Sequence, residues 1–386
     1  MKFTVAKTAI LAELNLLSDI ISEGRKNTIA ALSCVRITTI PNAIEIVATD
    51  ISTTLQTICE AEVDVPGVAV VDAKRLTNVV AALETAEIKF TIGSNGWVRL
   101  NDHFSIGTQP EEAFPKPPEI PDGHPHKIRA SVIAQLIART AFAVAAKPEQ
   151  YSLDNAMLTC EGDKVSLGGF DGFIMSEVTW QNEGVGSAVI AIPRKGLKPL
   201  SRLAAKGEGD IEVTLGPNQT FFKLDNRILA VGLMTGQFPP YRNVIPKSNL
   251  NVAAISVDKF TTLLKRAALA SPEKPARRVT LEIKPGLRDK GEGMLYFSAQ
   301  SNDSSDEEEM EISYRGEAVR VIVDPDKLMH FLSVVPGEMI TLALKDSNTM
   351  LSMPMLFKFH NDALEHTFVL ASCNESQPEE TEAAGA

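Results

Sequence analysis

The chain has 386 residues, 44% hydrophobic and 23% charged, with a net charge of −11. That length exceeds one ordinary core and predicts two to four domains, and the composition is that of a globular protein, not a disordered or fibrous one. The acidic balance, taken alone, argues against a nucleic-acid partner, because a surface that binds phosphates has to be locally positive.

No apolar run approaches the roughly 18 residues of a membrane span. The N-terminus enters an apolar-alternating stretch at once, without the pattern of a signal peptide. Cys34, Cys59, Cys160 and Cys373 are scattered and show no CxxC spacing, so reduced thiols in a cytoplasmic protein are expected.

Taken in chain order, the elements repeat three times. Strand-then-helix patterns open at Lys2 (KFTVAKTAILAELNLLSDI), Lys127 (KIRASVIAQLIARTAFAV) and Ala253 (AAISVDKFTTLLKRAALA), with alternating apolar residues followed by apolar positions at helical spacing. In the first, Ile10, Leu11, Leu14, Leu17 and Ile21 are expected on one face. A second strand-turn-helix follows in each copy, anchored by Leu76, Leu197 and Leu328, and strands begin after it at Glu87, Asp210 and Met339. Proline-rich joins follow Phe114-Pro115 and Phe238-Pro239. The expected domains are 1–122, 123–249 and 250–373, with 374–386 a disordered acidic tail. The fold class is α+β, two helices per copy packed on antiparallel sheet.

Charge is distributed unevenly among these elements. Segments 129–147, 194–206 and 258–278 carry +3, +5 and +4, and outside the six helical segments the chain carries −22. A charged helix face is most often simply solvated, but three basic helices in an acidic chain point to a shared positive surface with an acidic exterior.

The opening MKFTV, the stretch VIAIPRKGL (Val189–Leu197), GQFPPYRNVIPK (Gly236–Lys247), the Gly24-Arg25 pair and the Phe114-Pro115 join, in this order and spacing, resemble the bacterial sliding clamp, the beta subunit of DNA polymerase III, over residues 1–373. The resemblance implies three DNA-clamp domains forming half of a head-to-tail homodimeric ring. With helices packed about 8–10 Å apart, twelve of them enclose a bore on the order of 25–30 Å, enough for a duplex. It implies a processivity factor for DNA replication. Such a ring holds double-stranded DNA without sequence preference, and tethers the replicative polymerase, the clamp loader and other clamp-binding proteins through short linear peptides. A divergent paralogue serving repair or a specialised polymerase is the alternative.

Carried over residue by residue, the resemblance assigns DNA contact to Arg25, Lys147, Arg194, Lys195, Lys198 and Arg202. It assigns the peptide cleft to Leu153, Phe170, Gly172, Phe173, Met175, Pro239, Val244, Val369 and Leu370, and the dimer contact to Phe104 against Leu269 and Ala270. The chain departs from the family where Phe170-Asp171-Gly172-Phe173-Ile174-Met175 replaces Thr-Asp-Gly-His-Arg-Leu, where Asn243 replaces an arginine, and at its Ala371-Ser372-Cys373 ending. A more apolar, less basic cleft is expected. Asp171-Gly172 reads as a tight turn between strands.

The acidic run Asp303–Glu309 is expected on a strand or loop near the dimer edge. It does not offer the convergent carboxylates, about 3.5–4 Å apart, of a two-metal site. The histidines have no metal-ligand spacing with the cysteines, and no P-loop, GxSxG or GxGxxG is present. No catalytic residue, metal or cofactor is expected.

Overall fold

The structure, a computed structural model, describes residues 1–21, 29–93, 96–146, 154–233, 240–247, 250–274, 277–286, 291–335, 337–345 and 354–373. The first copy contains β1 (Lys2–Ala6), α1 (Lys7–Leu17), β2 (Cys34–Ile40), β3 (Ala43–Thr49), β4 (Thr53–Glu60), β5 (Glu62–Val65), β6 (Val68–Asp72), α2 (Ala73–Ala82), β7 (Glu87–Ile92), β8 (Trp97–Leu100) and β9 (Phe104–Gln109). The second contains β10 (His126–Arg129), α3 (Ala130–Thr140), β11 (Asn155–Phe170), β12 (Ile174–Pro193), α4 (Arg194–Ala204), β13 (Asp210–Leu215), β14 (Gln219–Leu224) and β15 (Arg227–Gly232). The third contains β16 (Leu250–Ser256), α5 (Val257–Ala270), β17 (Val279–Pro285), β18 (Glu292–Gln300), β19 (Ser305–Tyr314), β20 (Val319–Val323), α6 (Pro325–Val334), β21 (Met339–Lys345), β22 (Pro354–His360) and β23 (Leu364–Ala371).

Local sequence explains two of the helix starts. Asp72 caps α2 by accepting from the Arg75 amide, and Asp324 caps α6 by accepting from Asp326 and Lys327, with Pro325 at the first turn. On α1, Ile10, Leu14 and Leu17 are buried as expected and Leu11 is only half-buried, while Ile21, expected on the same face, lies beyond the helix end and is half-buried. Glu13 shares the buried side, a charge inside an apolar stripe.

The chain forms two compact units, and the middle copy is divided between them. The first unit takes 1–137, 155–165 and 182–236; the second takes 138–154, 166–181 and the chain from 237. All the strands of the 13-stranded sheet lie in the first unit, in the order β10-β13-β14-β15-β4-β3-β2-β6-β9-β8-β7-β1-β5. The other sheet runs β11-β12-β23-β22-β21-β16-β19-β18-β17-β20. Among the described residues no helix is long and apolar enough to cross a membrane. All four cysteines are free thiols, with Cys34, Cys59 and Cys160 buried.

One rule joins neighbouring copies. In the first unit, β4 pairs antiparallel with β15, from Thr57 opposite Arg227 to Thr53 opposite Val231. In the second, the start of β12 pairs with β23, from Ile174 opposite Leu370 to Trp180 opposite Leu364. The strands β4, β12 and β19 are equivalent because each lies between the two helices of its copy and follows the same turn there: Asp50 N–H bonds Thr53 O at 3.0 Å, Asp171 N–H bonds Ile174 O at 3.1 Å, and Ser301 N–H bonds Ser304 O at 2.8 Å. The strand after this turn therefore pairs with the last strand of the next copy.

Candidate nucleic-acid interface, partner cleft and sheet edges

Helix α4 buries Gly196, Leu197, Pro199, Leu200, Leu203 and Ala204. The same spacing leaves Arg194, Lys195, Lys198 and Arg202 exposed on the opposite side. These four proposed DNA contacts share one row, but two are already paired. Lys198 Nζ and Arg202 Nε each lie 2.8 Å from a carboxylate oxygen of Asp19, just past the end of α1. Arg202 Nη1 also donates to Asn15 O at 3.2 Å. Arg25 and Lys147 lie outside the described residues. Arg139, counted with the basic helices, is half-buried, and burial lowers its pKa; its charge is not presented like those on α4.

The cleft residues that are described all fall in the second unit. Asp171 Oδ1 accepts from the amides of Phe173 (2.8 Å) and Ile174 (2.7 Å), which closes the expected turn. Gly172 has φ +93°, the left-handed region that favours glycine. The turn holds the Phe173 ring out, 63% exposed. Lys327 on α6 lies over that ring, its Nζ 4.1 Å from the centroid and 3.6 Å from Asp171 Oδ2. Phe170 and Val244 are half-buried and Gly172 is exposed. Met175, Val369 and Leu370 are buried, with Met175 directly opposite Val369 in the β12–β23 ladder; they are core residues, not surface ones. Leu153 and Pro239 lie outside the described residues.

Two buried polar groups brace this region. Glu177 accepts from the Tyr241 hydroxyl at 2.6 Å and from Arg242 Nε at 2.8 Å. Burial, then Glu177, pushes the Tyr241 hydroxyl's pKa up. A Cβ at Gly168 would collide with the Tyr241 hydroxyl and ring, so glycine is required there. His366, opposite Val178 on β23, bonds Ser176 Oγ through Nε2 at 2.9 Å. The Ser176 hydroxyl donates to Arg139 O at 2.8 Å, so Nε2 carries the imidazole proton. Burial pushes the His366 pKa down to about 3.

Sequence reasoning missed Asp19, Lys327 and the Glu177–Arg242 pair, all of which depend on contacts distant in sequence. Glu13 had a signal, its place within the apolar stripe of α1.

Of the expected dimer residues, Phe104 is 45% and Leu269 is 80% exposed, whereas Ala270 is 6% exposed and offers no side chain to a partner. Two strand edges lie beside them. β9 pairs with β8 along 104–107 and reaches β6 only at Thr108 and Gln109. β19 pairs with β18 along 305–313 and meets β16 only at Ser313 and Tyr314. Among the described residues, 104–107 and 305–312 therefore have no strand on their other side. The acidic run lies on β19 and the turn before it, and Glu308 pairs with Arg266 of α5 at 2.9 Å. No group of three or more His, Cys, Asp or Glu is placed to hold a metal ion among the described residues.

Comparison with known proteins gives a consistent result. Residues 1–118, 127–240 and 242–367 match the N-terminal, central and C-terminal domains of the DNA polymerase III beta subunit family. The chain is 25% identical over 362 residues to the beta sliding clamp of Pseudomonas aeruginosa, covering 90% of this chain and 94% of that one. It is 24% identical over 353 residues to the beta sliding clamp of Escherichia coli, with 90% and 94% covered. Among solved structures it matches the DNA polymerase III subunit beta of P. aeruginosa, with a TM-score of 0.86, 23% identity, and 97% and 100% of the two chains covered. It matches the sliding clamp of Bacillus subtilis with a TM-score of 0.88, 18% identity, and 97% and 99% covered. The fold is that of these clamps. With all three domains matched in order along the sequence that builds the junctions above, the chain belongs to the DNA polymerase III beta subunit family.

Proposed function

We propose that two copies of this chain close head to tail into a ring around duplex DNA and serve as a processivity clamp, without chemistry of their own. The observation that carries this reading is the pair of unpaired edges. Each internal junction joins the strand after the repeated turn between the two helices to the last strand of the next copy. Applied once more, that rule joins β19 of the third copy to β9 of a first copy, and among the described residues these strands have bare edges. Phe104 begins one edge and Leu269 lies beside the other. A second chain satisfies both edges in both molecules, which is the condition for a closed assembly.

The three clamp domains correspond to residues 1–122, 123–249 and 250–373, with 374–386 an acidic tail. Arg194, Lys195, Lys198 and Arg202 supply phosphate contacts that read no base, so the ring slides; Arg25 and Lys147 extend that set. Polymerase, loader and other partners dock short peptides at the Phe170–Phe173 turn and Val244, in the cytoplasm, over a floor that Met175, Val369 and Leu370 form as core residues. Phe173, with Lys327 over its face, gives the cleft a peptide preference of its own.

The test is retention. After loading by an ATP-driven clamp loader, the protein should stay on closed circular DNA and run off once the circle is cut. Equal loss from both forms would overturn the ring.

A further inference from the structure

We propose that Asp19 is an internal competitor for the DNA phosphates, one that weakens the grip of α4 so that the clamp slides freely. The proposal rests on the ring reading above and deepens it. Lys198 and Arg202 are four residues apart on α4 and so lie one above the other on the same side. Their charged groups reach the two oxygens of one carboxylate at 2.8 Å each. The Asp19 side chain is 6% exposed, while both cations remain largely open to solvent.

A carboxylate held between a lysine and an arginine occupies the position a phosphate would take, because both anions present paired oxygens to the same donors. With Asp19 in place, this pair of cations offers the DNA one net charge instead of two. The bond from Arg202 to Asn15 O further ties the guanidinium to α1. A duplex phosphate then has to displace a contact already made. The gain on contact is small, and the energy profile along the DNA is flat.

The test measures binding of the full-length protein to a short duplex by fluorescence anisotropy as NaCl is varied, with retention on closed circles run alongside. Asp19→Asn should tighten binding at about 50 mM salt by roughly tenfold and steepen the salt slope by one to two units, since each added phosphate contact contributes about −0.9. Removing this acid strands no buried cation, and circular dichroism reports the fold. A second comparison works at exposed positions only. Lys198→Gln with Arg202→Gln should flatten the slope by less than one unit in the native background and by about two with Asp19→Asn. If Asp19→Asn binds no more tightly, or binds more weakly, the competitor is refuted while retention on circles still supports the ring. If the native protein is not retained on circles, the ring reading fails and this proposal fails with it.

Discussion

Removing the Glu13 carboxylate should destabilise the first unit by far more than an ordinary surface change. Glu13 is buried on α1 and receives Arg227 of β15 in a fork, Nε at 3.0 Å and Nη2 at 2.5 Å, with the Thr57 hydroxyl at 2.5 Å. The pair ties the first copy to the second beside the β4–β15 ladder. The side chains of Glu13 and Arg227 are only 8% and 16% exposed, so water screens them little. Glu13→Ala leaves a guanidinium without its partner, at a cost of about 3–5 kcal/mol. Replacing both members by apolar residues, Glu13→Leu with Arg227→Met, should recover most of that loss, because desolvation offsets most of what a buried pair gains, leaving the cost of the Thr57 hydroxyl without its acceptor, about 1–3 kcal/mol. Urea unfolding at fixed protomer concentration measures both. A single variant within about 1 kcal/mol of native, or a double variant as unstable as the single, would refute the reasoning.

The buried His366 sets an acid limit. Its folded pKa, lowered by burial to about 3, lies below the ordinary 6.5, so the unfolded chain takes up a proton that the folded one refuses. Its contribution is complete above about pH 6.5 and is lost as pH falls towards 3, at up to about 1.4 kcal/mol per pH unit. His366→Gln should remove about one proton from the slope of stability against pH between about 4 and 6; an unchanged slope would rule out this origin. Phe173→Ala should weaken a hydrophobic clamp-binding peptide by about 1–3 kcal/mol in calorimetry, and equal affinity would remove Phe173 from the cleft. Arg194→Ala with Arg202→Ala should weaken DNA association and flatten its salt dependence while circular dichroism stays native.

Periodicity made much of this fold legible. Alternation marked the strands, and the spacing of Leu76, Leu197 and Leu328 aligned the three copies. The Asp171-Gly172 turn was readable because an aspartate side chain and a glycine at positive φ do that work locally. What lay beyond sequence reasoning was long-range. Asp19 meets Lys198 and Arg202 only after two copies pack, and Lys327 reaches Phe173 only after α6 is placed. Counting charge by segment singled out α4, whose basic residues are exposed, but overcounted, since it treated half-buried Arg139 and the two partners of Asp19 as open cations. Met175, Val369 and Leu370 were expected in a cleft, yet the ladder that joins the second and third copies makes them core.

The proposed dimer junction differs from the internal ones in its chemistry, and that difference can be measured. Leu269 holds in the third copy the place Asp19 holds in the first, each twelve positions beyond the first helical residue, Val257 and Lys7. By the same alignment Leu263 stands where Glu13 stands. The charged contacts that fasten α1 to the second copy are thus replaced by apolar residues in α5, and Leu269 is 80% exposed, ready for burial against a partner. On the edge itself, β19 presents Glu307, Glu309 and Glu311 outward, while β8 and the turn before β9 carry Arg99 and His103. Apolar burial does not weaken in salt, and crowded like charges repel less when screened. The dimer should therefore hold equally well or tighten between about 50 and 500 mM NaCl in sedimentation equilibrium. Leu269→Asp or Phe104→Asp should give monomers, each placing an unpaired charge in an apolar contact. A tenfold loosening of the dimer in high salt would mean that ion pairs hold the junction after all, and unchanged dimer mass in both variants would place the interface elsewhere.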